Sequence, residues 1–418
     1  MTQVSAARRN VTLGMVCLVA FLSYVDRQIF TLFQEDIKAA LGLTDGQLGL
    51  LTGMSFALFY VLAGFPIARY ADKGDRRLVI GVCVIVWSTA TALCGIAQSY
   101  VQLLLARIGL AAGEAGAGPA GNSLITEIFP LNRRTTVISI ILAANAVGLS
   151  GGLALGGWLS LYFDWRAVFL ILGLPGILVG VLVWLLCVEP RRAAGAKVVP
   201  PPQIPMRDVL RIIAGSTSLR WAGLLLTASA MAGFSFILWG ASFFQRIHGM
   251  SKAETGFWLG GAMATGLVLG NLLAGWVSDR FGKANPRFNG WFAGVSNFCA
   301  FPFALGFALA SDPYVSLACF VLMKFLMTLY LGPTMALCFA QVPIAMRAMI
   351  SAVIAMLIGF AGTGLGGTLA GFASQAFTPA YGALSLQPAL ALMSCCLLVG
   401  GVSAVFAGRT ARPLPENT

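Results

Sequence analysis

Apolar residues gather along this chain in long runs separated by short polar turns. A helix needs about 20 apolar residues to cross the hydrocarbon of a bilayer. Twelve runs meet that requirement: 11–37, 46–70, 78–98, 101–128, 136–161, 167–188, 219–247, 253–278, 289–310, 314–341, 348–374 and 386–408. The pattern predicts an all-α membrane protein of twelve transmembrane helices in two pseudo-symmetric six-helix bundles. The longest polar interruption, 189–218, carries Glu189-Pro190-Arg191-Arg192 and then Pro200-Pro201-Pro202. Its proline and charge mark a cytoplasmic linker, which divides the chain into an N-terminal bundle (1–188) and a C-terminal bundle (219–418). Within the linker, residues 206–214 have the pattern of a short amphipathic helix lying on a membrane surface.

Composition supports lipid as the solvent. Of 418 residues, 58% are hydrophobic and 10% charged, and 49 are Gly; a soluble domain carries about 25% charged residues. The net charge of +12 does not point to nucleic acid, because the basic residues sit in short clusters between apolar runs. Placing the N-terminus in the cytoplasm puts twenty of the 27 Lys and Arg residues on the cytoplasmic side. Both termini are therefore expected there, in a multi-pass protein of the bacterial inner membrane. Met1 to Asn10 is short and polar with no convincing cleavage site, so no removed signal peptide is expected. Nine scattered Cys and a single His248 suit small buried side chains better than disulfides or metal ligands. No metal or organic cofactor is expected.

The two halves repeat one another. After the second run the chain reads Ala68-Arg-Tyr-Ala-Asp72-Lys73-Gly74-Asp75-Arg76-Arg77, and after the eighth Gly275-Trp-Val-Ser-Asp279-Arg280-Phe-Gly282-Lys283. Pro130-Leu-Asn-Arg-Arg134 before the fifth run is matched by Pro343-Ile-Ala-Met-Arg347 before the eleventh. Internal repeats of this kind place a transport site between halves, near mid-membrane depth.

These residues resemble the major facilitator superfamily over nearly the whole chain. The second copy is close to the family's Gly-xxx-Asp-Arg-x-Gly-Lys signature. The first departs from it, with Ala68 for the first Gly and Asp75 where the second Gly belongs. Two further segments, Tyr24-Val25-Asp26-Arg27 and Arg107-Ile-Gly-Leu-Ala-Ala-Gly113-Glu114-Ala115, resemble the spinster-type lipid transporters, and related bacterial organic-anion carriers share parts of them. The resemblance implies an alternating-access carrier of lysolipids, sphingoid phosphates or similar amphiphiles, in which Asp26, Glu114 and Arg107 serve proton-linked switching.

Physical chemistry leads to the same residues. An ionisable group inside a span persists only when paired, neutralised or facing water. Asp26, Arg27, Arg107, Glu114 and Lys324 all lie well inside runs. Asp26 and Arg27 point about 100° apart on one helix, so each needs its own partner. Arg107 and Glu114, two turns apart, share a face about 10 Å from one another. We expect Asp26 and Glu114 to exchange protons while Arg27 or Arg107 changes partner; a static buried ion pair that only ties helices together is the alternative. Arg27, Arg107 and Lys324 are candidates to hold an anionic substrate, with Tyr60, Asn122 and Tyr330 adding hydrogen bonds. The N-terminal half carries four of these charges and the C-terminal half only Lys324. One wall polar and one wall greasy suits an amphiphile, with small organic anions or drugs as the second possibility.

Asp72, Arg76, Arg77, Glu127, Asp279 and Arg280 are candidates for a cytoplasmic gate, an acidic cap on a neighbouring helix end with an adjoining ion network. In the fifth run, Gly148-Leu-Ser-Gly-Gly152-Leu-Ala-Leu-Gly156-Gly157 approaches the glycine pattern of facilitator antiporters, with Leu153 in place of Pro. An embedded enzyme lacks support: there is one His, no HExxH and no Gly-x-Ser-x-Gly. A monomer is the expected state, with the bilayer and a small amphiphile or organic anion as partners, and the proton as coupling ion.

Overall fold

The computed structural model describes residues 5–190, 206–282, 286–343 and 346–412, with the side chains of Met206, Asp279, Pro286 and Ala348 outside that set. The prolines at 200–202, Arg191, Arg192 and Lys283 also lie outside the described residues. The described chain is nearly all helix. Helices α1 (Ala6–Leu32), α2 (Gln34–Leu41), α3 (Asp45–Thr52), α4 (Met54–Lys73), α5 (Arg76–Ile96), α6 (Tyr100–Ile128), α7 (Arg134–Leu159) and α8 (Trp165–Leu186) come first. A surface-type helix α9 (Met206–Gly215) precedes α10 (Thr217–His248), α11 (Lys252–Val277), α12 (Pro286–Leu309), α13 (Pro313–Thr328), α14 (Leu331–Phe339), α15 (Arg347–Leu357), α16 (Gly367–Tyr381) and α17 (Leu386–Arg409).

Ten helical stretches among the described residues are long and apolar enough to cross a membrane. One of them, Met349–Arg409, is 61 residues long and turns back on itself at Gly382. That residue has φ 55° and ψ −125°, a conformation that needs glycine. The stretch is therefore two spans. The twelfth is α6, 29 residues long; its many Gly and Ala residues, with Arg107 and Glu114, dilute its hydropathy. Twelve transmembrane helices result among the described residues, as the pattern of runs predicts.

Some boundaries differ. The first span ends at Leu32, five residues before the expected 37, because the helix breaks at Phe33 and restarts with Glu35 and Asp36 in its first turn, where the helix dipole favours acids. The second span is broken at Gly53. There the Thr368 hydroxyl is inserted into the helix: it accepts from Met54 N at 2.9 Å and donates to Gly49 O at 3.0 Å. An inserted side chain of this sort is a standard cause of a kink. The eleventh span contains a π-helical segment, Ile358–Gly366.

Chain contacts sort the described residues into two units. The described parts of Met1–Thr44, Ser55–Pro200 and Ser251–Gly260 form one; those of Asp45–Met54, Pro201–Met250 and Gly261–Thr418 form the other. In the first unit, α7 packs on α1 through glycines spaced by four. A Cβ at Gly148 would stand 2.5 Å from Phe21 O, and one at Gly152 2.9 Å from Val25 Cα. The glycine run thus brings two backbones together, as small residues do in membranes. In the second unit, α17 meets α12 the same way, with Gly290 and Gly408 in backbone contact. The second unit also holds a buried polar cluster: Arg246 pairs with Asp45 at 2.7 Å, and Ser374 donates to the same carboxylate at 2.6 Å.

Candidate functional site

Four helices of the first unit bring the predicted charges together. α1 supplies Asp26 and Arg27, α4 Phe56 and Tyr60, α5 Trp87 and Thr91, and α6 Arg107 and Glu114. Gly113 lets α6 lie directly on α5: a Cβ there would stand 2.7 Å from Trp87 N. That close approach sets Glu114 at the joint of α5 and α6, facing α1.

Glu114 pairs with Arg27, not with Arg107 on its own helix. Arg27 Nε donates to Glu114 Oε2 at 2.7 Å, and its Nη2 donates to the same oxygen. The Glu114 side chain is 1% exposed and the Arg27 side chain 25%. Three rings cradle the guanidinium: Arg27 Cζ lies 4.5 Å from the Phe56 centroid, 5.3 Å from Tyr24 and 5.6 Å from Tyr60. Cation–π contacts of this kind gain strength as water is excluded. Phe56 is shared, since Arg107 Cζ lies 5.5 Å from it and 4.3 Å from Phe30. One ring therefore lies within reach of two like charges. Asp26 is buried and accepts a hydrogen bond from Thr91 Oγ1 at 3.2 Å. Two acids and two bases occupy one buried cluster.

Beside this cluster lies a cavity of about 170 Å³. Arg27, Glu114, Tyr24, Tyr60, Asn122 and Asn145 line it, with apolar residues from α1, α5, α6 and α7 completing the wall. Four of the predicted residues, Arg27, Glu114, Tyr60 and Asn122, thus face one space. Asp26 and Arg107 sit behind it, buried. An apolar wall with a few convergent polar groups is the usual form of a small-molecule site.

The predicted residues of the second half lie in the second unit. Lys324 on α13 is 9% exposed; its Nζ donates to Gly233 O at 3.0 Å and stands 5.7 Å from the Phe320 ring. Tyr330 is packed in an apolar cluster with Leu219, Leu337 and Ile350.

Among the gate residues, Asp75 caps α5: its carboxylate accepts from Arg77 N at 3.0 Å and Leu78 N at 3.5 Å. The departure from the glycine signature at this position therefore has a structural use. Burial disfavours the Asp75 charge, but hydrogen bonds from Arg77, its positive charge and the two backbone N–H groups hold the carboxyl below its ordinary range. Arg76, fully buried, reaches Glu127 at 2.7 Å and Glu189 through Nε at 3.0 Å. Asp72 and Arg280 are exposed. Sequence reasoning missed Glu189 as the partner of Arg76, because 113 residues separate them. It also missed Phe56, Trp87 and Thr91, which look like ordinary span residues until a charge is seen beside them.

Comparison with known proteins gives concordant results. The Major Facilitator Superfamily profile matches residues 16–367. An MFS-type efflux pump of Mycolicibacterium smegmatis is 31% identical over 93% of this chain and 90% of its own. A D-galactonate transporter of Escherichia coli is 25% identical over 95% of this chain and 97% of its own. The crystal structure of a bacterial homolog of the human lysosomal transporter Spinster, in an inward-facing and unoccupied conformation, is 28% identical. It covers 98% of both chains with a TM-score of 0.88.

Proposed function

The chain belongs to the Major Facilitator Superfamily, a family of membrane transporters, and we propose that it is a proton-coupled, alternating-access carrier of small organic anions. The observation that carries this reading is the Arg27–Glu114 pair at the wall of the cavity. A guanidinium is the natural ligand of a substrate carboxylate, through its planar fork of donors. While Glu114 is ionised, it occupies that fork. A proton on Glu114 Oε2 releases the guanidinium, and a substrate carboxylate takes its place. Asp26 is the second proton-carrying group, and Arg107 keeps a positive charge beside both acids.

Charge balance supports coupling. The empty cluster holds two acids and two bases. One bound anion adds a negative charge and one proton cancels it, so empty and loaded forms both avoid a net charge in the membrane, where such a charge is expensive. The cavity volume of about 170 Å³ suits an anion of sugar-acid size, in keeping with the D-galactonate transporter among its relatives. A second reading, transport of an amphiphile whose head group sits on Arg27, is favoured by the apolar part of the wall and by the likeness to the Spinster homolog. The Lys and Arg distribution supports an inner-membrane location with cytoplasmic termini, and the Arg76–Glu127–Glu189 network serves as part of the cytoplasmic gate.

Purified protein in liposomes tests the proposal. An acidic outside should drive uptake of a D-galactonate-type anion, and Asp26→Asn and Glu114→Gln should abolish the pH dependence. Wild-type behaviour in both variants defeats the proposal, and uptake of a lysolipid in preference to sugar acids selects the second reading.

A further inference from the structure

Helix α17 presents one apolar strip on the surface of the second unit. Leu392, Cys395, Val399, Val402 and Phe406 are exposed at alternating spacings of three and four. The next position in that series is Arg409, which is exposed as well. The residues between them are buried or half-buried, where α17 packs on α10 and α12. From Leu392 to Arg409 the strip runs about 26 Å, more than the roughly 15 Å depth of one leaflet's acyl layer. It ends in aromatic rings and charge. Trp221 of α10 stacks on Phe406 with ring centroids 5.1 Å apart. Arg409 Cζ lies 5.3 Å from the ring centroid of Trp291 on α12, and that ring is exposed. Arg220, the neighbour of Trp221, is exposed, and its Nη2 donates to Thr217 Oγ1 at 3.1 Å.

Arg27, Arg76 and Arg246 each hold a carboxylate. Arg220 and Arg409 have no acidic partner among the described residues. A guanidinium carries five N–H donors, so both keep donors to spare. Aromatic rings and arginines at the end of an apolar span sit at head-group depth, and a guanidinium there is a natural ligand of phosphate. We propose that the end of α17, with the adjoining ends of α10 and α12, is a binding surface for anionic phospholipids. Their phosphates engage Arg409 and Arg220, and an acyl chain lies along the strip from Val399 to Phe406. Charge complementarity selects the head group. A zwitterionic lipid brings its own ammonium, which offsets the attraction of the two guanidiniums; an anionic lipid does not. Each basic residue near an anionic surface corresponds to about fivefold in affinity. The surface lies in the second unit and does not depend on what the protein transports.

Lipids brominated near the head group quench the fluorescence of nearby tryptophans, and they are titrated into the full-length chain in detergent. Brominated phosphatidylglycerol should reach half-saturation at a concentration about 25-fold lower than brominated phosphatidylcholine. Arg409→Gln and Arg220→Gln should each lower that preference about fivefold. The double variant should bind both lipids equally, with the phosphatidylcholine curve unchanged. Arg220→Lys combined with Arg409→Lys keeps both charges and should keep the preference. Trp291→Phe should remove part of the phosphatidylglycerol-selective quenching and leave its midpoint in place. Equal midpoints in the wild type overturn the proposal, and so does a preference that survives in the double Gln variant or is lost in the double Lys variant. Selective quenching untouched by Trp291→Phe places the lipid elsewhere and overturns it too. A second copy of the chain is the other candidate cover for the strip. A dimer by light scattering, with tryptophans that neither lipid quenches, likewise defeats the proposal.

Discussion

Under the proposed mechanism, replacing Glu114 by Gln should make the protein bind an organic anion more tightly while destroying the pH dependence of that binding. The substitution removes one charge and preserves the shape of the side chain. In the wild type, two donors of Arg27 converge on Glu114 Oε2. Hydrogen bonds to a charged group contribute about 1.5–3 kcal/mol, and neutral ones about 0.5–1.5 kcal/mol. The change therefore releases about 1.5 kcal/mol of competition for the guanidinium, a modest figure because the Arg27 side chain is 25% exposed. Arg27 does not leave, since Phe56, Tyr24 and Tyr60 still surround it. At about 1.4 kcal/mol per tenfold, anion affinity at pH 8 should rise roughly 10-fold. Wild-type affinity should depend on pH through this competition, and the variant's should not. Calorimetry on purified protein between pH 5 and pH 8 measures both curves. Equal affinities at pH 8, or equal pH slopes, refute the idea that Glu114 and the anion compete for Arg27.

Other outcomes follow from the same packing. Gly113→Ala places a methyl group 2.7 Å from Trp87 N; overpacking of this kind should cost about 1–3 kcal/mol, seen as a lower unfolding temperature in detergent. Arg76→Ala strips the buried Glu189 side chain of its main cation and should cost about 3–5 kcal/mol, whereas Glu127→Gln, on the 38% exposed partner, should cost under about 1 kcal/mol. Asp75→Asn keeps the cap and loses the charge. The folded carboxyl titrates below its unfolded value, so its stabilisation is complete above the unfolded pKa of about 4 and is lost as pH falls through the folded one. The variant should be less stable than wild type by under about 1 kcal/mol at pH 7 and equal to it at the acid limit, as measured by unfolding at several pH values.

The spans were legible because twelve lengths of apolar chain leave no other arrangement in lipid. The break at Gly53 was not, since it depends on the Thr368 hydroxyl, 314 residues from Met54. Asp26, Arg27, Arg107 and Glu114 stood out because charge inside a span is costly, and that rule needs no knowledge of partners. Pairing was harder to read. Helical geometry places Arg107 and Glu114 on one face, but it carries no information about α1, which brings Arg27 87 residues away in sequence to the carboxylate. The aromatic cradle and Trp87 were hidden for the opposite reason: an apolar residue in an apolar run gives no signal until its polar edge is located. Asp75 shows a motif departure with a local cause, the capping of α5.

The account depends most on proton and anion sharing one cluster whose net charge must not change. Proton uptake and anion uptake measured together, in liposomes carrying a trapped pH dye and a labelled anion, test this most directly. One proton should enter for each negative charge of the anion, and an imposed pH gradient should drive accumulation with no membrane potential required. Anion entry that leaves the internal pH unchanged, at the same rate with and without the gradient, contradicts it.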